Sequence, residues 1–362
     1  MTIRRTLYRA VVCYLATAGV LAHVALLTVF LVAPQLLDKA RYQFAVHLEA
    51  SSVLPEASPE PDLTLHAEIA SALAPWRPLA ASNDLSRGES RIGARRFESL
   101  KVAVRALKDD QTLVIGPGVY HEPLFIRANR VTIRGDGHVV LENAAHGGKA
   151  AIVVKGDDVR IINLECRHIT VPDGNGACVR QTGQFLTLSH VYFHDSQQGV
   201  LAGKGYGRLT EEDSRFERLG FGGRAHGIYT QGRELKVRDS VFVAIGGGSH
   251  AIKSRAAQTV IEKSLIASLS AKTGRLLDIS NGGELIVRDS VLAQGPATDN
   301  SAAIGYGLEK VLHAENRITL ERNTVLLERR GGSRLLRVER GTPEPVLRGN
   351  TIITVTPPGL DD

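Results

Sequence analysis

The sequence predicts an all-β solenoid of short parallel strands, on three observations. An eight-residue block returns nine times between Val131 and Ile352: VTIRGDGH from Val131, VRIINLEC from Val159, LTLSHVYF from Leu186, LTEEDSRF from Leu209, LKVRDSVF from Leu235, TVIEKSLI from Thr259, LIVRDSVL from Leu285, ITLERNTV from Ile318 and PVLRGNTI from Pro345. The starts lie 28, 27, 23, 26, 24, 26, 33 and 27 residues apart, a period that marks stacked structural repeats. Within each block β-branched and polar residues alternate, so one face of a strand points inward and the other to water.

Positions one, three and eight are mostly aliphatic or aromatic and are expected inside; position four is usually polar and is expected outside. From the fourth copy on, position six reads Ser214, Ser240, Ser264, Ser290, Asn323 and Asn350. Short polar side chains in register at a bend can hydrogen-bond the backbone and one another. A leucine-rich-repeat horseshoe has a similar period but needs an LxxLxL frame and a helical return, against which the Gly-rich, helix-poor intervals speak. Aromatic residues make up only 5% of the 362, which fits a narrow aliphatic coil rather than one large core.

Before the repeats, Glu98–Lys108 (ESLKVAVRALK) places Leu100, Val104 and Leu107 on one helical face. TLVIGPGVYHEPLFI follows as a strand, a Gly-Pro-Gly turn and a second strand. An amphipathic helix there would cover the open end of the first coil, which a solenoid needs.

Ala10–Ala33 is an uncharged, mainly apolar stretch of 24 residues. As a helix it can cross a hydrocarbon core of roughly 30 Å. Arg4, Arg5 and Arg9 precede it and keep the N-terminus in the cytoplasm. A cleavable signal peptide would have a shorter apolar core and a better small-residue cleavage site than Ala33-Pro34. The expectation is a single-pass, N-in anchor in the cytoplasmic (inner) membrane, with the remainder extracytoplasmic, or periplasmic in a Gram-negative cell. The expected organisation is a tail at 1–9, the anchor at 10–33, a membrane-proximal segment and Pro/Glu/Ser-rich linker at 34–62, an N-terminal segment and cap at 63–130, the β-helix at 131–356 and a tail at 357–362. Gln35–Leu48 is read as a short helix, and Leu63–Phe97 has no clear pattern.

The net charge of +6 arises mostly in the anchor region. Beyond residue 41 there are 39 bases against 37 acids, which demonstrates no nucleic acid or other bulk anionic ligand. No nucleic-acid partner is expected. Three cysteines make no disulfide framework. Cys166 and Cys178 fall at inward positions, where Cys commonly serves as a small hydrophobe, and the expectation is two buried free thiols, although an oxidising compartment would allow a bond.

The opening SLKVAVRALKDDQTLVIGPGVYHEPLFI, the VTIRGDG after it, and units of the form VRDSVF leading into GIYTQ or AIKSR resemble the right-handed parallel β-helix proteins of the pectate-lyase-like superfamily, from about Glu98 to Val355. The resemblance implies a right-handed parallel β-helix with an N-terminal capping helix, and carbohydrate sites on an exposed sheet face. It is weak for activity, since the superfamily spans lyases, epimerases, hydrolases and proteins without assigned chemistry. The Asp-Pro-His-Asp motif of its alginate-epimerase branch is absent, and His194 and Asp195 are the nearest residues.

Each interval holds another short strand: AIVVK from Ala151, ACVRQ from Ala177, GVLAG from Gly199, GIYTQ from Gly227, AIKSR from Ala251 and LLDIS from Leu276. The third positions give an outward column Val153, Val179, Leu201, Tyr229, Lys253, Asp278. Since parallel neighbours lie about 4.8 Å apart, the last three should stack. The fifth positions add Gln231, Arg255 and Ser280; His226, His250 and Arg275 stand at the loop mouths. The 33-residue interval carries a long insert, from which Tyr306 and Glu309, with Asn281, are expected to line a wall.

A uronate lyase or C5-epimerase needs a cation for the sugar carboxylate, a base for the C5 proton and an acid to return one. Arg255 suits the first role, Lys253 or His250 the second and Tyr229 the third. Asp278 beside Lys253 favours the ammonium, which points to His250 as the better base. Catalytic candidates are therefore Tyr229, Lys253, Arg255, His250 and Asp278, and substrate-binding candidates are His226, Gln231, Arg275, Ser280, Asn281, Tyr306 and Glu309. The expected partner is an acidic polysaccharide, with no metal and no cofactor: a calcium site or a hydrolase wants several converging carboxylates, and the columns offer one. The plainer reading of Lys253 and Asp278 is a solvated ion pair contributing roughly 0 to 1 kcal/mol. A non-catalytic glycan-binding or scaffold protein of envelope polysaccharide assembly is the alternative function.

Overall fold

The fifth repeat shows how a block becomes a corner. Leu235 and Val237 point inward from one strand and are fully buried. Asp239 then adopts the left-handed conformation (φ 50°), and after Ser240 the chain enters a strand of the next sheet with Phe242 again inward. The same left-handed residue recurs at Asn163, His190, Asp213, Lys263, Asp289 and Arg322. In each of these repeats the bend from the first sheet to the second is therefore made at one left-handed residue.

The computed structural model describes residues 69–70, 73–205 and 207–354. The expected tail at 1–9, anchor at 10–33, helix at 35–48, linker at 51–62 and tail at 357–362 lie outside the described residues. Among the described residues, no helix is long and apolar enough to cross a membrane.

The strands form a parallel β-solenoid of about nine turns, each turn giving one strand to each of three sheets. The first sheet, of 12 strands, runs to Val346–Arg348; the second, of 10, from Gly118–Tyr120 to Thr351–Thr354; the third, of 9, from Leu124–Ile126 to Arg334–Val338. Inward columns of Leu, Ile, Val and Phe make one continuous core. Phe193, Phe216 and Phe242 line it in successive turns, Phe193 meeting Phe216 edge-on at 5.4 Å and Phe216 stacking on Phe242 at 4.5 Å between ring centroids. Each fully buried side chain of this kind contributes about 1.5–3 kcal/mol.

The polar ladder at position six is present. Ser240 Oγ accepts from the Ser214 N–H (3.2 Å) and donates to the Arg238 carbonyl (2.8 Å). Ser264 and Ser290 repeat the pattern, and Asn323 and Asn350 continue it. Glu211 breaks the aliphatic rule: it takes an inward third position between Leu188 and Val237, fully buried.

The expected cap is a helix at Leu100–Ala106, its first turn capped by Ser99 Oγ, with Leu100 and Ala103 buried on the core. An unforeseen hairpin, Ser90–Ile92 with Arg95–Phe97, pairs antiparallel with Thr112–Ile115 and closes that edge of the first sheet. Ahead of it, residues 73–85 form a strap across the outer face of the second sheet. Trp76 stacks on Tyr192, His190 bonds the Arg77 carbonyl, and Leu79 and Ser82 donate backbone N–H groups to Asn163 and Asp136.

The cysteine expectation is corrected. Cys166 and Cys178 form a disulfide, with Cα atoms 5.8 Å apart. Both side chains face the interior from adjacent strands of one turn, which brings the sulfurs together.

Candidate functional site

Strand pairing in the third sheet sets Leu201, Tyr229, Lys253, Asp278 and Gly305 side by side in one outward column. The stacking of Tyr229, Lys253 and Asp278 is as the repeat register requires. One turn earlier the expected column slips by one residue: Arg180, not Val179, pairs with Val153 and Leu201, and Val179 is buried in the core. Arg180 is thus a cation on this face that the sequence alignment missed.

Asp278 is the centre of a charge cluster. Only 3% exposed, it accepts from Lys253 Nζ (3.2 Å), Arg275 Nη1 (3.1 Å) and Ser280 Oγ (2.6 Å), with His250 Nε2 3.8 Å away. Burial disfavours its charge, but the pull of His250, Lys253, Ser280 and Arg275 is larger and lowers its pKa to about 2. Arg275 reaches Asp278 by lying across Gly305, where a Cβ would meet the arginine at 3.0 Å.

His250 is nearly buried, and its pKa falls to about 4, chiefly by burial, with Asp278 opposing and Lys253 and Arg275 adding to the fall. The ring is therefore neutral at neutral pH. His226 is 2% exposed; its Nδ1 accepts the His250 backbone N–H (3.0 Å) and its ring stacks on His250 at 5.1 Å. It positions His250 and presents no surface to a polymer, contrary to the expected contact role.

Lys253 Nζ donates to Asp278 and, at 2.6 Å, to Glu309 Oε1. Arg255 pairs with the other Glu309 oxygen, bonds Asn281 Oδ1 (3.2 Å) and lies 5.7 Å over the Tyr229 ring. Gln231 Nε2 donates to the Tyr229 hydroxyl. Two cations two residues apart, Lys253 in the strand Ile252–Ser254 and Arg255 just past its end, thus converge on a single carboxylate from the long insert. The Lys253 amine is engaged as a hydrogen-bond donor to two carboxylates, an arrangement that suits holding an anion.

Three expected substrate-binding residues, Tyr306 and Asn281 of the wall and Ser280 of the outward face, are placed differently. Tyr306 points into the core and is fully buried, its hydroxyl bonding the Gly283 carbonyl and Asn316 Oδ1, because Tyr306 pairs with the inward Ile279. Ser280 is buried under Asp278. Asn281 is 5% exposed and braces Arg255 while donating to the Lys310 carbonyl (3.0 Å). His313, which sequence reasoning passed over, bonds the Arg255 carbonyl from the same insert (3.2 Å). The partly or fully exposed residues of the site are Tyr229, Gln231, Lys253, Arg255, Arg275 and Glu309.

His194 and Asp195 lie elsewhere, on the outer face of the second sheet, in a network with Glu165 and Arg218. Among the described residues no group of three or more His, Cys, Asp or Glu side chains is arranged to hold a metal ion.

No family model and no curated protein matches the chain. Solved structures similar to it include pectin methylesterase PemA from Erwinia chrysanthemi, at 12% identity and a TM-score of 0.41 over 68% of this chain and 78% of that one. Pectin methylesterase from Yersinia enterocolitica is similar at 12% identity and TM-score 0.39, over 71% and 90% of the two chains. A PL6 alginate lyase bound to a trisaccharide is similar at 13% and TM-score 0.23, over 71% and 82%.

Proposed function

We propose that this protein acts on an acidic polysaccharide outside the cytoplasmic membrane, anchored through residues 10–33, by metal-independent proton abstraction of the uronate lyase or C5-epimerase type. The observation that carries the reading is the convergence of Lys253 and Arg255 on one carboxylate beside a neutral histidine. Two cations in that geometry hold a sugar carboxylate, one to each oxygen, and polarise the adjacent C–H bond. His250, uncharged above about pH 4, accepts the C5 proton, and Tyr229, braced by Gln231 at the accessible end, returns one. Asp278 holds Lys253 and Arg275 in place. The Cys166–Cys178 bond favours an oxidising compartment, in keeping with export.

Incubating the full-length chain with a panel of uronate polymers tests this, reading ultraviolet absorbance for unsaturated ends and deuterium uptake at C5. Either signal supports the proposal and says which reaction occurs; no signal from any polymer overturns it. The second reading, a glycan-binding or scaffold protein of polysaccharide assembly, draws on the small accessible area of the cluster. It expects Lys253→Ala to keep glycan binding and cellular function, whereas the enzyme reading expects turnover to be lost with the fold intact.

A further inference from the structure

Glu309 is the unusual member of the cluster. Asp278 is sunk among its partners, but the Glu309 side chain is 41% exposed and comes from an insert outside the repeat. The insert is held by other contacts: Glu309 and Lys310 donate backbone N–H groups to the Ser280 carbonyl, Leu312 to Asn281, and Asn316 receives the Gly283 N–H. The side chain can therefore leave the two cations by rotating about its own bonds while the backbone stays anchored.

Its departure alone is unfavourable. With Glu309 in place, Lys253, Arg255 and Arg275 face two carboxylates; without it they face only Asp278, leaving two charges uncompensated in a partly desolvated site. A second carboxylate arriving on Lys253 and Arg255 restores the balance. Exchange of one carboxylate for another is then nearly neutral in charge, and the remaining contacts of the incoming chain decide it.

We propose that the Glu309 carboxylate occupies the seat of a substrate carboxylate, so that the insert acts as an internal competitor which an acidic sugar residue must displace. This rests on the acidic-polysaccharide reading of the same site. It names the seat, the contacts on its two oxygens, and a built-in selectivity: a neutral or esterified residue brings no charge to replace Glu309 and leaves it in place. A polymer dense in carboxylates is favoured over a sparse one.

The experiment compares binding of oligogalacturonate and oligomannuronate, each with its carboxyl-reduced counterpart, to the full-length wild type and to Glu309→Gln by calorimetry. A seat occupied nine-tenths of the time by Glu309 weakens apparent affinity about tenfold. Glu309→Gln is expected to bind a carboxylated oligomer about tenfold more tightly, with the reduced oligomer unchanged, and Lys253→Met in the Glu309→Gln background is expected to abolish the gain. If the wild type binds a carboxylated oligomer and Glu309→Gln binds it no better, or the gain is shared by the reduced oligomer, Glu309 is only a brace for the insert: the competitor is overturned while the polysaccharide reading stands. If neither protein binds any carboxylated oligomer, the polysaccharide reading fails and takes the competitor with it. Thermal melting of both variants checks that the fold is retained.

Discussion

Single residues carry the largest departures from the repeat pattern, and each has a measurable consequence. Glu211 sits where other turns place Leu188, Val237 or Ile261, and neither carboxyl oxygen has a hydrogen-bond partner. Burial raises its pKa well above the ordinary 4.5. The folded state thus keeps the proton that the unfolded chain releases, so its part in stability is whole below about pH 4.5 and is lost as pH rises through the raised folded value. Glu211→Leu is expected to stabilise the protein at pH 7 by on the order of 1–3 kcal/mol and to flatten this slope, as read by urea unfolding at acid and neutral pH. His250 has the opposite sense: its folded pKa is depressed from 6.5 to about 4, so its contribution is present above pH 6.5 and is lost as pH falls toward about 4. As the proposed base it should sustain turnover down to about pH 4, with the rate declining below; an acid limb near pH 6.5 instead would exclude His250 from that role.

At the scale of elements, the ladder of Ser and Asn residues ties one bend to the next. Ser264 Oγ takes the Ser240 N–H and donates to the Glu262 carbonyl, so Ser264→Ala strands a buried donor between two turns. The expected cost is about 1–3 kcal/mol in denaturant unfolding, larger than for an exposed serine. The bends also explain a composition that a reader of the sequence would not choose. Non-glycine residues such as Lys263 and Ala244 occupy left-handed conformations (φ 47° and 53°) that cost about 1–2 kcal/mol each. Ala244 contributes no side-chain bond to offset this, and Ala244→Gly should raise the midpoint of thermal unfolding.

Across the whole molecule, stability passes along the stack from turn to turn, and the disulfide clamps one early turn. Replacing Cys166 and Cys178 together by Ala opens a short loop, 12 residues apart in the chain, with an expected loss of about 2–3 kcal/mol. Equal unfolding midpoints for wild type with and without reductant would show that the bond adds nothing. The N-terminal end is closed by a helix and a hairpin, whereas at the other end Leu347 and Ile352 of the last described strands are 52% and 48% exposed. The charge column lies inside the third sheet, where each of its strands has a neighbour on both sides to hold it in register.

The repeat period and the two-residue alternation by themselves determined the solenoid, the polar ladder and the stacking of Tyr229, Lys253 and Asp278, because each depends only on residues that occupy equivalent places in successive turns; the capping helix followed from its own helical spacing of Leu100, Val104 and Leu107. At ACVRQ that logic fails by one step: the strand stands one residue out of the expected register, so Arg180 rather than Val179 faces outward, since a single-residue slip exchanges the two faces of a strand. Only the tertiary structure decided the Cys166–Cys178 bond, the inward turn of Tyr306, the strap at Trp76 and the seating of Glu309 on Lys253 and Arg255. The strap and the Glu309 segment lie outside the repeat strands, whereas the cysteine pair and Tyr306 sit in strands whose facing is set by the loops before them. Their partners are chosen by how a loop folds back in space, and no period in the chain encodes that.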